Sequence, residues 1–317
     1  MRKVSADAFA DQFAVDGAAA ALLFPPTRVQ PSTRAPLLKS TMSLSSLDSA
    51  RSFLFVPANR PERFAKAIDS GADAVILDLE DSVPMQDKDL ARALVQQTLA
   101  ATESAVPCVV RINSPQTPIG QSDVQALANW PGVSALMVPK CESSADLDAV
   151  ITSSPGMPVL PIIESAEGYL NLRAIAHTPQ VRRLVLGHVD FLADTGITLS
   201  SDQRELDSLR FEIAMCTRSG RLAPAIDGVT VAVDDVAAIH ADTERAIRFG
   251  MGGKLCIHPR QVSVVHAAFQ PSAEALDWAR RVVDAMQASS GAAVQLDGKM
   301  IDLPVLLQAQ RLLSRAQ

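Results

Sequence analysis

From Arg51 onward the chain alternates between two patterns of apolar and polar positions. Short aliphatic or β-branched runs occur at Ser52–Val56, Ala74–Leu77, Cys108–Ile112, Ala135–Val138, Val159–Ile163, Leu184–Leu186, Ala223–Ile226 and Leu255–Ile257. Their length and bulk predict eight buried strands. Longer stretches with helical spacing lie between most of them, as at Arg60–Ser70, Lys88–Ala101, Ser143–Ile151 and Asp235–Phe249. Buried strands that alternate with helices predict a parallel sheet, and eight such units favour a closed (β/α)₈ TIM barrel over an open doubly wound sheet. Pro224 interrupts the seventh run, which makes it the weakest strand. Past Ser272 the pattern is helical at Ala273–Ala288 and Leu303–Ala316, with a Gly-containing turn between.

The N-terminal region differs. A short amphipathic stretch leads into Pro- and Ser-rich sequence from Pro25 to Ser46, the composition of a mobile tail. The expected organisation is a tail over 1–48, a catalytic barrel over 49–270 and a C-terminal helical segment over 271–317, with Met42 a possible start. Arg2 and Lys3 precede the apolar patch Ala18–Phe24, but Asp7, Asp11 and Asp16 intervene, so a signal peptide is not expected.

Composition then narrows the class. Lys and Arg total 29 against 35 Asp and Glu, for a net charge of −6, which argues against nucleic acid as the partner. No apolar run reaches the roughly 18 residues of a membrane span. Cys108, Cys141, Cys216 and Cys256 show neither C-x-x-C nor zinc spacing, which fits buried thiols in a reducing cytoplasm. Gly250–Lys254 resembles a phosphate loop but continues with Leu255, and neither H-E-x-x-H nor G-x-S-x-G occurs.

Barrel chemistry gathers at the C-terminal ends of strands, and charged residues stand at nearly every one. They are Asp78, Glu80 and Asp81 after the second, Arg111 in the third, Lys140 after the fourth, Glu164 after the fifth, Asp190 after the sixth, Asp227 after the seventh and His258 after the eighth. Helix capping explains Asp78, Glu80 and Asp81 as readily as function does, and Asp227 before Gly228 reads as turn chemistry. Lys140 reads equally as a solvated or structurally paired lysine, and His258 as a packed, hydrogen-bonded histidine. Glu164 is different: it ends an apolar strand and should face the barrel mouth. Together with Asp190 on the neighbouring strand it makes an oxygen-donor site suited to Mg²⁺.

Several segments together carry a family resemblance: Arg51–Phe64, Ala72–Val83, Val110–Asn113, Val138–Lys140, Pro161–Gly168, Gly187–Phe191, Ala225–Gly228, Gly253–Gln261 and Asp297–Pro304. In these the chain resembles the citrate lyase β-subunit family, relatives of the malyl-CoA and citramalyl-CoA lyases and the HpcH/HpaI aldolases. The resemblance implies a carbon–carbon lyase in which Glu164 and Asp190 bind Mg²⁺ and Arg111 holds the substrate carboxylate. It places the coenzyme A moiety against Arg60, Arg63, Lys66 and the backbone at Leu255 and Cys256. It makes Asp302 the acid/base group on a C-terminal lid that closes over a neighbouring subunit, in a homotrimer or a hexamer. The implied substrate is (S)-citramalyl-CoA, with L-malyl-CoA next and a citryl thioester of an acyl-carrier protein as the third choice. A catalytically dead, acyl-CoA-binding barrel is the alternative outside enzymes. The chain departs from the family at Ala58, where glycine is common, and at His188, where a small residue is usual.

Overall fold

The computed structural model describes residues 46–101, 105–127, 130, 132–289 and 291–315. Eight parallel strands close into a barrel in sequence order. They are β1 (Ser52–Pro57), β2 (Ala74–Asp78), β3 (Cys108–Arg111), β4 (Ala135–Val138), β5 (Val159–Ile163), β6 (Val185–Leu186), β7 (Ile226–Asp227) and β8 (Gly253–Cys256). The expected TIM barrel is therefore present. The seventh strand starts three residues later than its apolar run, because Pro224 cannot donate to a ladder and falls before it.

The pleat sorts side chains into two cores. Phe53, Ala74, Ile76, Val109, Met137, Leu160, Ile162, Val185, Ile226 and Leu255 fill the barrel interior. Leu54, Val56, Val75, Leu77, Val110, Leu136, Ile163, Leu186 and Cys256 face the surrounding helices. Side chains alternate along a strand, so the inward set continues through Asp78, Arg111, Glu164 and Gly187 at the C-terminal end. Asp227 and Lys254 have the opposite parity. They are paired across β7 and β8 and face the helix Asp207–Ser219, whose Arg210 Nε donates to Asp227 Oδ1 at 3.1 Å. The strand-end rule therefore does not carry Asp227 to the mouth.

At the opposite end a plug closes the barrel. Leu47 and Ala50 are buried in the interior core, and Asp48 pairs with Arg182. Arg183 is wholly buried beneath them, with its Nη1 donating to the carbonyls of Leu47 and Ala50 at 2.8 Å each and its Nε to Pro224 O at 2.6 Å. The fold thus begins by residue 46, inside the stretch expected as tail. Residues 1–45, including Met42, lie outside the described residues.

The C-terminal segment has a core of its own. Helices Ala273–Ala288 and Leu303–Ser314 enclose Ala279, Val282, Met286, Ile301 and Ala309. Between them lies an antiparallel hairpin, β9 (Val294–Leu296) and β10 (Lys299–Ile301), where only a turn was expected. Asp297 and Gly298 take φ of 51° and 76°, the positive pair that a tight hairpin turn requires. Among the described residues no helix is long and apolar enough to cross a membrane.

Candidate active site

Three inward-facing residues, Asp78, Arg111 and Glu164, and two loop residues, Glu80 and Lys140, form one charged cluster at the C-terminal mouth. The register sets Asp78 opposite Arg111 on adjacent strands. Arg111 Nε and Nη2 donate to the two carboxylate oxygens of Asp78 at 2.6 and 2.7 Å. Arg111 also stacks over the Phe55 ring, 4.7 Å from its centroid. Asp78 additionally accepts from the amides of Glu80 and Ser82 and so shapes the loop after β2. Neither Asp78 nor Glu80 caps the following helix. Burial works to raise the Asp78 carboxyl, but Arg111, with the hydrogen bonds from Ser82 and Glu80, holds the group below its usual range. Burial likewise opposes the Arg111 charge, and Asp78 and Glu80 more than restore it. The side-on fork of Arg111 is thus occupied, and a ligand carboxylate would meet its end-on Nη1/Nη2 edge.

Lys140 brings two more carboxylates together. Its Nζ lies 2.6 Å from Glu80 Oε1, while its backbone N–H donates to Glu164 Oε1 at 2.6 Å. The residue adopts φ of 49°, a left-handed conformation costly for lysine, which aims both groups at their partners. Glu164 leaves the end of β5 into the mouth and is 4 % exposed. Burial, followed by the neighbouring Glu80 and Asp190 charges, pushes its carboxyl up to about 8. Burial also raises Glu80, against the pull of Arg111 and Lys140. Glu80 Oε2 is sealed from solvent without a hydrogen bond, although Arg111 Nη1 sits 2.9 Å away outside bonding alignment.

Gly187 makes room for this arrangement. A β-carbon there would lie 2.5 Å from Glu164 Oε2 and 2.6 Å from Glu164 Cβ. Helix α1 (His188–Thr195) follows at once and carries Asp190, half-buried, in its first turn. His188 turns toward β7, and a β-carbon on Gly228 would come within 2.2 Å of its Nδ1. Burial, with Lys254 and Arg210 nearby, lowers the imidazole and keeps it neutral, against the Asp227 charge.

The remaining expected residues are more dispersed. Arg60, Arg63 and Lys66 are exposed on the turn and helix after β1, with Arg60 Nη1 3.7 Å from Glu62. Leu255 and Cys256 lie within β8 with buried side chains, so only their backbone could meet a ligand. Asp302 is the N-cap of the last helix, where its Oδ1 accepts from Val305 N at 3.3 Å. Among the described residues it makes no hydrogen bond or ion pair with Glu164, Asp190 or Arg111. His258 likewise caps a helix, through Arg260 N.

No group of three or more His, Cys, Asp or Glu among the described residues is arranged to hold a metal. Glu164 and Asp190 nonetheless suit a hard divalent cation. They are oxygen donors, they repel each other, and a cation would relieve the charge that lifts the Glu164 carboxyl.

A parallel barrel with carboxylates at its mouth defines a class of enzyme, and comparison with known proteins gives the family. The model of the HpcH/HpaI aldolase/citrate lyase family matches residues 51–259, and the chain belongs to that family of carbon–carbon lyases. It is 37 % identical over 273 residues to a citrate lyase subunit beta-like protein of Mycobacterium tuberculosis, covering 83 % of this chain and 94 % of the relative. It is 31 % identical over 274 residues to a (3S)-malyl-CoA thioesterase of Cereibacter sphaeroides, covering 84 % and 94 %. The crystal structure of CitE from Mycobacterium tuberculosis with magnesium, acetoacetate and coenzyme A superposes with a TM-score of 0.76 at 35 % identity, covering 85 % of this chain and 99 % of the other.

Proposed function

We propose that the chain is a Mg²⁺-dependent lyase that cleaves a 3-hydroxyacyl-CoA bearing a carboxylate beside the hydroxyl. The favoured substrate is (S)-citramalyl-CoA, which yields acetyl-CoA and pyruvate; L-malyl-CoA, which yields glyoxylate, is the second. The meeting of Glu164, Asp190 and Arg111 at one barrel mouth is the observation that carries this reading. Glu164 and Asp190 would hold the ion. Magnesium, when bound, supplies a positive centre that acidifies the hydroxyl and stabilises charge on its oxygen. Arg111, fixed by Asp78, presents its end-on edge to the substrate carboxylate. The hydroxyl proton leaves to solvent, the C2–C3 bond breaks as the resulting alkoxide becomes the keto group, and the electron pair of that bond passes to C2 as an acetyl-thioester enolate. A proton delivered to C2 completes acetyl-CoA, and Asp302 is the group assigned to deliver it.

Asp302 lies in a unit with its own core, apart from the mouth cluster, and Met300, Leu303 and Leu307 near it are exposed. That supports delivery across a subunit interface in a homotrimer or a hexamer, with the lid of one chain over the barrel of another. Arg60, Arg63 and Lys66 form a basic rim for the coenzyme A phosphates. The deciding experiment incubates the protein and Mg²⁺ with citramalyl-CoA, malyl-CoA and related 3-hydroxyacyl thioesters, and follows acetyl-CoA, keto acid and free CoA. Acetyl-CoA and keto acid in equal amounts are expected. Free CoA with an intact hydroxy acid would mean thioester hydrolysis instead, and no product from any thioester would remove the enzymatic reading.

A further inference from the structure

Asp190 is the less secured of the two carboxylates assigned to the ion. Glu164 is held by the Lys140 amide, but among the described residues Asp190 makes no hydrogen bond or ion pair of its own. Its place is therefore set by its backbone. The ladder between β5 and β6 runs out just before it, with the bond from Gly187 N to Ile163 O at 3.0 Å. Beyond that bond Asp190 rides on α1, a helix of eight residues, too short to be fixed by its own hydrogen bonds. Contacts from outside α1 must set the helix against β5.

Two contacts do so, both with the short helix Ala166–Leu170 that follows Glu164. The Tyr169 and Phe191 rings meet edge to face, 6.4 Å between centroids and 71° between planes. The second contact is polar: Asp194 Oδ2 accepts from the Ala166 amide at 2.8 Å. That amide opens its helix and has no carbonyl partner within it, and Ser165 Oγ takes the Gly168 amide instead. A carboxylate suits the position, because a first helical turn carries partial positive charge. Asp190 and Asp194 are four residues apart and share one face of α1. Asp194 is bonded two residues past Glu164, so that face is turned to the end of β5, and Asp190 is turned with it.

We propose that Asp194 is a positioning residue that sets Asp190 against Glu164 for a shared divalent cation. The assignment rests on the metal reading above and extends it to the element that carries the second ligand. Asp194 acts through the Ala166 amide and the orientation of α1, not by touching the ion or the substrate.

Mn²⁺ binding to the full-length protein without substrate, read by electron paramagnetic resonance, separates the two claims. Hydrogen exchange over residues 164–170 of the metal-free protein reports on the Ala166 amide directly. Glu164→Gln should abolish binding. Asp194→Ala should weaken it roughly 10-fold, the lower end of the range for a group that orients a ligand, and should speed the exchange. Asp194→Asn removes the same charge but keeps an oxygen for the Ala166 amide. It should stay within about three-fold of wild type, with the exchange still slow. Each variant is melted in parallel; if Asp194→Ala does not fold, Asp194→Ser, whose hydroxyl is too short to span the same gap, takes its place with the same expected loss. Wild-type affinity in Glu164→Gln overturns the metal reading itself. Unchanged affinity in Asp194→Ala, whatever the exchange, overturns the role of Asp194 alone. Equal losses in Asp194→Ala and Asp194→Asn reduce the effect to charge, and a loss in Asp194→Ala as complete as in Glu164→Gln makes Asp194 a direct ligand; either result overturns the proposal.

Discussion

Each end of the barrel buries an arginine, and the two are treated in opposite ways. Arg111 at the C-terminal mouth is forked by Asp78, flanked by Glu80 and stacked on Phe55, and its charge is held firmly in place. Arg183 at the N-terminal end lies over Phe53 but meets only carbonyls. Burial pushes it down to about 9 despite the more distant Asp48 and Asp73, and its Nη2 has no partner. At the mouth, charge is concentrated and incompletely relieved, with two carboxyls raised above their ordinary values. At the plug, hydrogen bonds to main-chain carbonyls fasten Leu47 and Ala50 over the apolar interior. The difference teaches that a buried ionic side chain is not in itself a sign of chemistry. The sign is excess charge of one kind, facing an opening.

Substitutions at the two ends should therefore diverge. Glu164→Gln should abolish turnover and leave the melting temperature near wild type, since the amide replaces a largely protonated acid; appreciable activity after chelator treatment would sink the ion-binding assignment. Arg111→Met should remove activity and also destabilise by about 3–5 kcal/mol, because Asp78 and Glu80 stay buried without their cation. Denaturant titration checks this, and a stable variant would show that the pair is not stabilised through charge. Asp302→Ala should lower turnover roughly 10²–10⁴-fold and cost about 1 kcal/mol through the lost helix cap. Mixing it with Glu164→Gln should restore partial activity if the lid acts between subunits. A failure to complement, with subunit exchange shown independently, would return the lid to its own barrel.

A smaller effect concerns pH. In metal-free protein the Glu164 carboxyl lies at about 8 against an ordinary 4.5. The folded chain keeps a proton that the unfolded chain has released, so this group's contribution to stability falls as pH rises between those values. Cation affinity should rise over the same range, with proton release, because the ligand must be ionised. Calorimetric titration at about pH 6 and pH 9 tests this, and pH-independent affinity would contradict it. At the other end, Arg183→Met should leave kcat and KM unchanged while costing about 1–3 kcal/mol for each carbonyl left without a donor. A changed KM would mean that the two ends communicate.

The strands were legible because aliphatic runs with helical gaps have few other solutions. Glu164 and Arg111 stood out from their places at strand ends, whereas Asp190, expected on the strand beside Glu164, lies in the first turn of the helix that follows β6. The partners of these residues were not legible. Glu80 and Lys140 are 60 residues apart in sequence, and alone the first reads as a helix cap and the second as a solvated or paired lysine; only barrel closure brings them to 2.6 Å. Asp227, which read as turn chemistry before Gly228, has the other parity from Glu164 and is paired with Arg210 and Lys254, a pairing that the irregular seventh run concealed. The hairpin after the last barrel helix was readable from Asp297-Gly298, a strong turn dipeptide overshadowed by the helices on either side.

Gly187 has a consequence for inheritance. The space where its side chain would stand is already taken by the Glu164 carboxylate, with 2.5 Å between them. A missense change at codon 187, even to alanine, thus acts as a lesion of Glu164 from 23 positions away. In a screen for loss-of-function alleles, the two codons should fall into one phenotypic group: folded protein, intact barrel, no cation bound.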